Sequence, residues 1–375
     1  MKKYFWSPYI DLQVATKKSV LNSLNSLAKF DKKFDNILIN VFGEWDEYKS
    51  DVIDKKDLIS NRKLINKKFK GFFYSRFLYF LIFFFSYFPL KKIIKKDKPD
   101  YLIVHLITSI PLLMFIFNNF KTKLVLRISG FPKLNILRFI LWKIASRKIQ
   151  YVICPTEETK NYLLKKKIFY KNQLFYIPDP ILNIKEINRL KRKPLDHELS
   201  KPYFLVVGRF TKQKNHIFLL NFFSKNSYYL KNYKLIIIGD GELENLYKKI
   251  IHRGNLDNKV EILGYKENIY NYINNAECII SSSLWEDPGF IMIESAFIGT
   301  PVISSNCPSG PKEFIGNSDN GFIYNLNEEI SFQKGLDSFL NSSKDNLLKK
   351  INNAKKKSKL FTGFYNYKKL SYLLN

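Results

Sequence analysis

The chain is short of acid, cysteine and glycine, and each shortage excludes something. Of 375 residues, 33 are Asp or Glu against 62 Lys or Arg, a formal charge of +29. The three cysteines, Cys154, Cys278 and Cys307, stand far apart in the sequence. That spacing makes neither a disulfide framework nor a metal-ligand set, and it suits a reducing cytosol. With 15 glycines, 14 prolines and mixed charges, long disordered stretches are not expected. No secretory signal opens the sequence, because Ser7-Pro8 interrupts the first apolar run before it reaches signal length.

What is present points to two folded cores. The length is too great for one ordinary domain, and apolar residues make up 46%. The basic excess is uneven: residues 1–200 carry a balance of +22 and residues 201–375 one of +7. Residues 101–150 hold eight basic side chains and no acidic one. Such a half faces a polyanion (anionic lipid, a phosphorylated substrate or nucleic acid) or is a solvated, lysine-rich surface. Nothing resembles a nucleic-acid-binding module, and the aromatics sit in apolar runs rather than between arginines. Phe72 to Phe88 is apolar or aromatic apart from Ser75, Arg76 and Ser86, follows Gly71, and is followed by Lys91, Lys92, Lys95 and Lys96. As a helix it would reach roughly 25 Å, against a hydrocarbon core of about 30 Å. A helix buried in the fold, one lying in a bilayer surface and one spanning it are the three readings.

Short apolar runs alternate with helix-like stretches. Strands are expected at Lys3–Trp6, Asn36–Phe42, Tyr101–Leu106, Leu124–Ile128, Tyr151–Cys154 and Phe175–Pro178, with a helix from about Ala15 to Phe30. Residues 181–200 turn polar and contain Pro194, and the rhythm then restarts at Tyr203–Val207, Leu235–Ile238, Val260–Leu263, Cys278–Ser281 and Pro301–Ser304. Strand, helix, strand in repetition predicts parallel sheets with crossover helices. The organisation read from this is a Rossmann-like domain over 1–190, a second over 198–355, and a terminal helix over 356–375 packing back towards the first. Doubly wound α/β domains bind ligands beyond the carboxyl ends of their strands, so a cleft between the two is the expected site.

The densest chemistry lies at 281–313. A strand ends in Ser281-Ser282-Ser283, a loop carries Glu286-Asp287-Pro288-Gly289-Phe290, and a helix begins near Ile291 and ends at Gly299. Gly289 permits close approach of backbone to a ligand. The free N–H groups of the first turn, around Phe290, Ile291 and Met292, favour an anion such as a diphosphate. Glu286 and Glu294 bracket that position, and carboxylates accept hydrogen bonds from vicinal hydroxyls of a ribose or hexose.

Glu286, seven residues and Glu294 resemble the E-x7-E signature of glycosyltransferase family 4. So do Gly299-Thr300-Pro301-Val302-Ile303, Gly310-Pro311-Lys312-Glu313, Val207-Gly208-Arg209-Phe210 with Gln213-Lys214-Asn215, Ile237-Ile238-Gly239-Asp240-Gly241 and Leu263-Gly264-Tyr265. The resemblance covers about 201–325 well and 1–200 weakly. It implies the α/β GT-B fold, two Rossmann-like doubly wound domains facing across a cleft, and hexosyl transfer with retention from a nucleotide-sugar donor. It implies that Arg209 and Lys214, beside Gly208, contact the donor diphosphate. Glu294 would hold the ribose, Glu286 the donor-sugar hydroxyls, and Tyr265 would lie near the base. A sugar-nucleotide 2-epimerase shares this fold and is the rival within enzymes.

The first half departs from the family pattern. Where relatives carry a glycine-rich loop after the first strand, this chain has Ser7 to Thr16 without glycine; where many place a histidine near the fifth strand, Ser129 stands. His105, at the end of the YLIVHL strand, is the remaining histidine candidate for the site. No D-x-D triplet exists in the chain, so neither a cofactor nor a metal is expected and cationic side chains would neutralise the diphosphate. The expected acceptor is a saccharide, lipid-linked or phosphorylated. The enzyme would work in the cytoplasm, in peripheral contact with an anionic membrane at the inner face, with no nucleic acid.

Overall fold

The core strands are apolar on both faces because each sheet is covered on both faces. In the computed structural model, residues 1–9, 16–30, 35–48, 53–59, 72–132, 134–197, 199 and 202–375 are described, the side chains of 72–78 excepted. Ile10–Ala15 of the glycine-free loop, Gly71, and the side chains of Ser75 and Arg76 therefore lie outside the described residues.

Two compact units are present, Met1–Pro180 with Gly363–Asn375, and Ile181–Thr362. The division falls upstream of the 190–198 interval read from the sequence. Ile181, Leu182 and Ile187 are buried in the second unit's core, although the segment around them is polar.

Among the described residues, the first unit contains β1 (Lys2–Trp6), β2 (Asp35–Asn40), β3 (Asp54–Asp57), β4 (Tyr101–Val104), β5 (Lys123–Arg127), β6 (Ile149–Cys154) and β7 (Leu174–Tyr176). They form one sheet in the order β3-β2-β1-β4-β5-β6-β7, and every neighbouring pair is parallel. The two-residue period sends alternate side chains to opposite faces. Tyr4, Trp6, Leu102, Val104, Leu124 and Leu126 enter one core, under helices Phe72–Asp97, Ser109–Ile116 and Ile136–Ala145. Phe5, Ile103, Val125 and Ile153 enter the other, under helices Thr16–Phe30 and Gly363–Leu374.

The second unit repeats the design. β8 (Tyr203–Val207), β9 (Lys234–Ile238), β10 (Val260–Gly264), β11 (Cys278–Ser281), β12 (Val302–Ser305) and β13 (Phe322–Tyr324) form a parallel sheet in the order β10-β9-β8-β11-β12-β13. Phe204, Val206, Ile237 and Ile280 face one core, and Tyr203, Leu205, Ile236 and Ile279 the other. In both sheets chain order reverses direction once, between β1 and β4 and between β8 and β11. The loops leaving those strands are where a doubly wound sheet opens to a ligand.

One expectation needs correction, two strands are added and one open reading is narrowed. The terminal stretch is not one helix. A helix over Lys344–Ser358 stops, a short 3-10 turn spans Lys359–Phe361, and a new helix starts at Gly363. The last helix lies against Thr16–Phe30, where Ser23 donates to Asn366 at 3.0 Å and a Cβ on Gly363 would overlap the Ser26 hydroxyl. Two strands, β3 and β13, escaped the pattern reading. Finally, Phe72–Asp97 is a single helix that runs through Pro89, with Ile82, Ser86, Leu90 and Ile94 buried, Phe83, Tyr87 and Ile93 partly buried against the same core, and Phe80, Phe84 and Phe88 exposed. Among the described residues, no helix is long and apolar enough to cross a membrane.

Candidate active site

The loops after β8 and β11 meet at the switch point of the second sheet and are stitched together. Leu284 N–H donates to the Gln213 carbonyl at 2.8 Å, and Gln213 Nε2 to the Trp285 carbonyl at 2.9 Å. The Ser282 hydroxyl donates to the carbonyls of Lys214 and Asn215 at 3.0 and 3.1 Å. This lattice fixes Lys214 against Glu286. The Lys214 ammonium donates to Glu286 Oε1, which also accepts from the Ser283 hydroxyl at 2.6 Å. Both side chains are largely but not fully buried, 20% and 13% exposed. The aliphatic stem of Lys214 lies over Gly208, where a Cβ would crowd its Cδ at 3.1 Å. Arg209 projects from the same loop and is exposed.

The neighbouring loop from β9 presses in from the side. Gly239 has φ +148°, and a Cβ there would overlap the Gly208 carbonyl oxygen. Phe210 N–H donates to the Asp240 carbonyl at 2.6 Å. Gly239 N–H reaches the Gly264 carbonyl at 2.9 Å, which places the exposed Tyr265 next along the same edge.

Gly289 stands at the start of helix Phe290–Ile298 with φ +98°, and no side chain caps that helix. Among the described residues, then, side chains leave the amides of Phe290, Ile291 and Met292 open, the arrangement that favours an anion. Pro288 and Gly289 are buried, and Phe290 and Ile291 half-buried. The loop is braced from behind. Ser309 N–H donates to the Glu286 carbonyl at 2.6 Å, and Glu286 N–H to the Pro308 carbonyl at 2.8 Å. A Cβ on Gly310 would overlap the Pro288 carbonyl. Gly310→Ala therefore has to push back the loop that carries Glu286. Overpacking of this kind costs about 1–3 kcal/mol. Urea unfolding should show that loss, and the variant should bind donor more weakly although residue 310 lies behind the loop. Unchanged stability and binding would contradict the bracing role.

Glu294 is buried one turn inside the helix, and the buried Tyr270 hydroxyl donates to its Oε1 at 3.1 Å. Sequence reading missed Tyr270, Ser283 and Ser309. Tyr270 carries no local signal, since it comes from the helix after β10 and meets Glu294 only through the fold. Ser283 and Ser309 lie within the 281–313 segment, but hydroxyls there had no visible partner. Gly208, Arg209, Lys214, Tyr265, Glu286, Pro288, Gly289, Phe290, Ile291 and Glu294 all belong to the second unit, on the loops and helix at the carboxyl edge of β8, β10 and β11.

His105 belongs to the first unit, directly after β4 at that sheet's own switch point. Its N–H donates to the Trp6 carbonyl at 2.9 Å. The ring is buried, and neither imidazole nitrogen has a hydrogen-bond partner; nor has the buried Ser7 hydroxyl after β1. Burial, and then the nearby Arg127, hold the His105 pKa well below its ordinary 6.5. Arg127 is itself engaged, since its guanidinium donates to Asp179. Gly130, after Ser129, has φ +83° and open space around it.

Burial also pushes His216 down to about 3, with Lys214 the second cause. Both rings stay neutral in the folded chain while an unfolded histidine protonates near 6.5. Stability is thus full above about pH 6.5 and is lost as pH falls, by about 1.4 kcal/mol per unit for each histidine. Thermal melts from pH 7.5 to 5 should show this slope, and His216→Phe should flatten it. A pH-independent Tm over that range would contradict it.

Two doubly wound parallel sheets, the second with an uncapped helix N-terminus beside its switch point, define the GT-B fold class. Residues 188–358 match the family model described as glycosyl transferases group 1, a segment lying inside the second unit. Over that segment the chain is similar to the group 1 glycosyltransferases. It is 28% identical over 324 residues to a glycosyltransferase of Methanocaldococcus jannaschii, covering 81% of this chain and 76% of that one. It is 31% identical over 185 residues to the N-acetylgalactosamine-N,N'-diacetylbacillosaminyl-diphospho-undecaprenol 4-alpha-N-acetylgalactosaminyltransferase of Campylobacter jejuni, covering 48% of this chain and 49% of the relative. The fold is shared with HepE of Anabaena, solved in complex with UDP, at a TM-score of 0.75 and 14% identity, covering 100% of this chain and 99% of that one.

Proposed function

We propose that the chain transfers a hexose-type sugar, with retention, from a nucleoside diphosphate sugar to a lipid-linked or phosphorylated saccharide in surface polysaccharide or lipopolysaccharide assembly. The observation that carries this is the Glu286 carboxylate, fixed by Lys214 and Ser283 beside the uncapped start of helix Phe290–Ile298. Two of its acceptor positions are filled and the others remain for sugar hydroxyls. The helix amides, Lys214 and Arg209 take the charge that develops on the departing diphosphate, so no metal or other cofactor is needed. Glu294, oriented by Tyr270, holds the ribose, and Tyr265 flanks the base. The bond from the anomeric carbon to the diphosphate oxygen breaks as that to the acceptor oxygen forms on the same face, and the acceptor proton passes to the leaving phosphate.

His105, neutral and with both nitrogens unpaired, is the first unit's candidate contact to substrate. The acceptor class is supported by the diphospho-undecaprenol in the name of the Campylobacter relative and by the basic first half. Such an acceptor places the enzyme in the cytoplasm, peripheral on the inner face of the membrane.

The test supplies UDP-, GDP- and ADP-sugars with and without a lipid-linked saccharide. Release of nucleoside diphosphate matched by growth of the acceptor is the expected result. Conversion of the sugar nucleotide to its epimer without acceptor would instead establish the epimerase reading.

A further inference from the structure

One helix layer of the first unit leaves an apolar strip uncovered. In helix Phe72–Asp97 the buried Ile82, Ser86, Leu90 and Ile94 fix the side turned to the sheet. The outer side carries Phe80, Phe84 and Phe88, which are 65%, 63% and 69% exposed and one turn apart. Helix Ser109–Ile116 packs beside it, and helix Ile136–Ala145 packs beside that in turn. Ile136 and Leu137, in the first turn of the third helix, are 78% and 80% exposed, and Ile144 follows two turns on at 51%. Single exposed apolar residues are ordinary; large ones grouped on helices of one layer mark an interaction surface.

The strip is framed by charge of one sign. Lys92, Lys95, Lys96, Arg138, Arg147 and Lys148 are exposed on the same helices or just beyond their ends. Residues 101–150 contain no acid, and Asp97, at the end of the long helix, is held by Lys56 and Tyr4. Apolar side chains bordered by exposed cations match the headgroup–acyl boundary of an anionic bilayer. A second copy of the chain docking through this strip would bring like charges together, which disfavours self-association.

We propose that this strip, on helices Phe72–Asp97 and Ile136–Ala145, seats the first unit on the surface of an anionic bilayer. The assignment rests on the peripheral-membrane reading above and names the face that carries it. The experiment is flotation of the full chain with phosphatidylcholine vesicles, with or without phosphatidylglycerol, at low and high salt. Wild type should float with the anionic vesicles, and less so at high salt. Phe80→Ser with Phe84→Ser, and separately Ile136→Ser with Leu137→Ser, should each lower the bound fraction about tenfold with unchanged melting. Indifference of wild type to anionic vesicles, wild-type binding by both double variants, or a dimer in sedimentation that the same changes dissolve would each overturn the proposal. Vesicle-free donor turnover, read in parallel, should be equal in wild type and both variants. Loss of turnover confined to the variants would overturn the assignment by placing these side chains in the reaction. A wild type that floats but never turns over donor would leave the surface standing and count against transfer.

Discussion

Lys214→Ala should lower kcat/KM by about two to three orders of magnitude while the chain remains folded. Removal of one preorganised group that meets developing charge on a leaving oxygen typically has this effect. In this chain the change does two things at once. It deletes a cation from the proposed diphosphate position, and it strips Glu286 of its charged partner, leaving, among the described residues, the Ser283 hydroxyl. Steady-state kinetics separates the two consequences. Loss of transition-state charge stabilisation appears in kcat, and loss of sugar positioning by a loosened Glu286 appears in KM as well. Ser283→Ala is the control for the second, since it frees one side of the carboxylate without touching the cation. It should cost far less than Lys214→Ala. A Lys214→Ala enzyme within a few-fold of wild type would show that the ammonium serves only to hold the loop.

The second large effect is on stability and lies in the first unit. Asp179→Ala should cost about 3–5 kcal/mol, because it leaves the Arg127 guanidinium buried without its counter-charge. Both side chains are under one-tenth exposed, Asp179 also accepts from the Ser19 hydroxyl at 3.0 Å, and Arg127 further donates to the Ile177 carbonyl at 3.4 Å. The pair ties the end of β5 to the chain leaving β7 and to helix Thr16–Phe30. A double change, Arg127→Met with Asp179→Leu, should recover most of the loss, since apolar groups of similar volume avoid desolvation. Denaturant melts of the three variants give the comparison. Equal losses in single and double variants would mean that packing, not charge, is responsible. The same pair shows that basic excess is not all ligand-seeking: one of the eight cations in 101–150 is spent inside the fold.

Legibility in the sequence follows burial. The inner strands were readable because both faces of each sheet are covered, so β1, β4, β5, β8, β9 and β11 are near-continuous apolar runs. The polar Asp54–Asp57 was not, because an edge strand needs no apolar side chains to pair with β2. The glutamates of the E-x7-E pattern were legible through spacing and the glycine between them. What orients them was not: Tyr270 reaches Glu294 from the helix that precedes β11, across 24 residues of sequence. The Phe72–Phe88 run illustrates the converse problem. Its helical nature was visible, but a segment apolar on every side carries no periodicity to say which face is buried. Only the packed structure selects Ile82, Leu90 and Ile94 as the inner face and leaves Phe80, Phe84 and Phe88 outside.

The most direct test of the donor site is equilibrium binding of UDP-, GDP- and ADP-sugars by calorimetry, wild type against Arg209→Ala and Glu294→Ala. One nucleotide series should bind wild type, and each substitution should weaken it by tenfold or more, about 1.4 kcal/mol or above. If both variants bind that nucleotide sugar as tightly as wild type, the donor is held elsewhere and the assignment of the β8–β11 switch point is wrong.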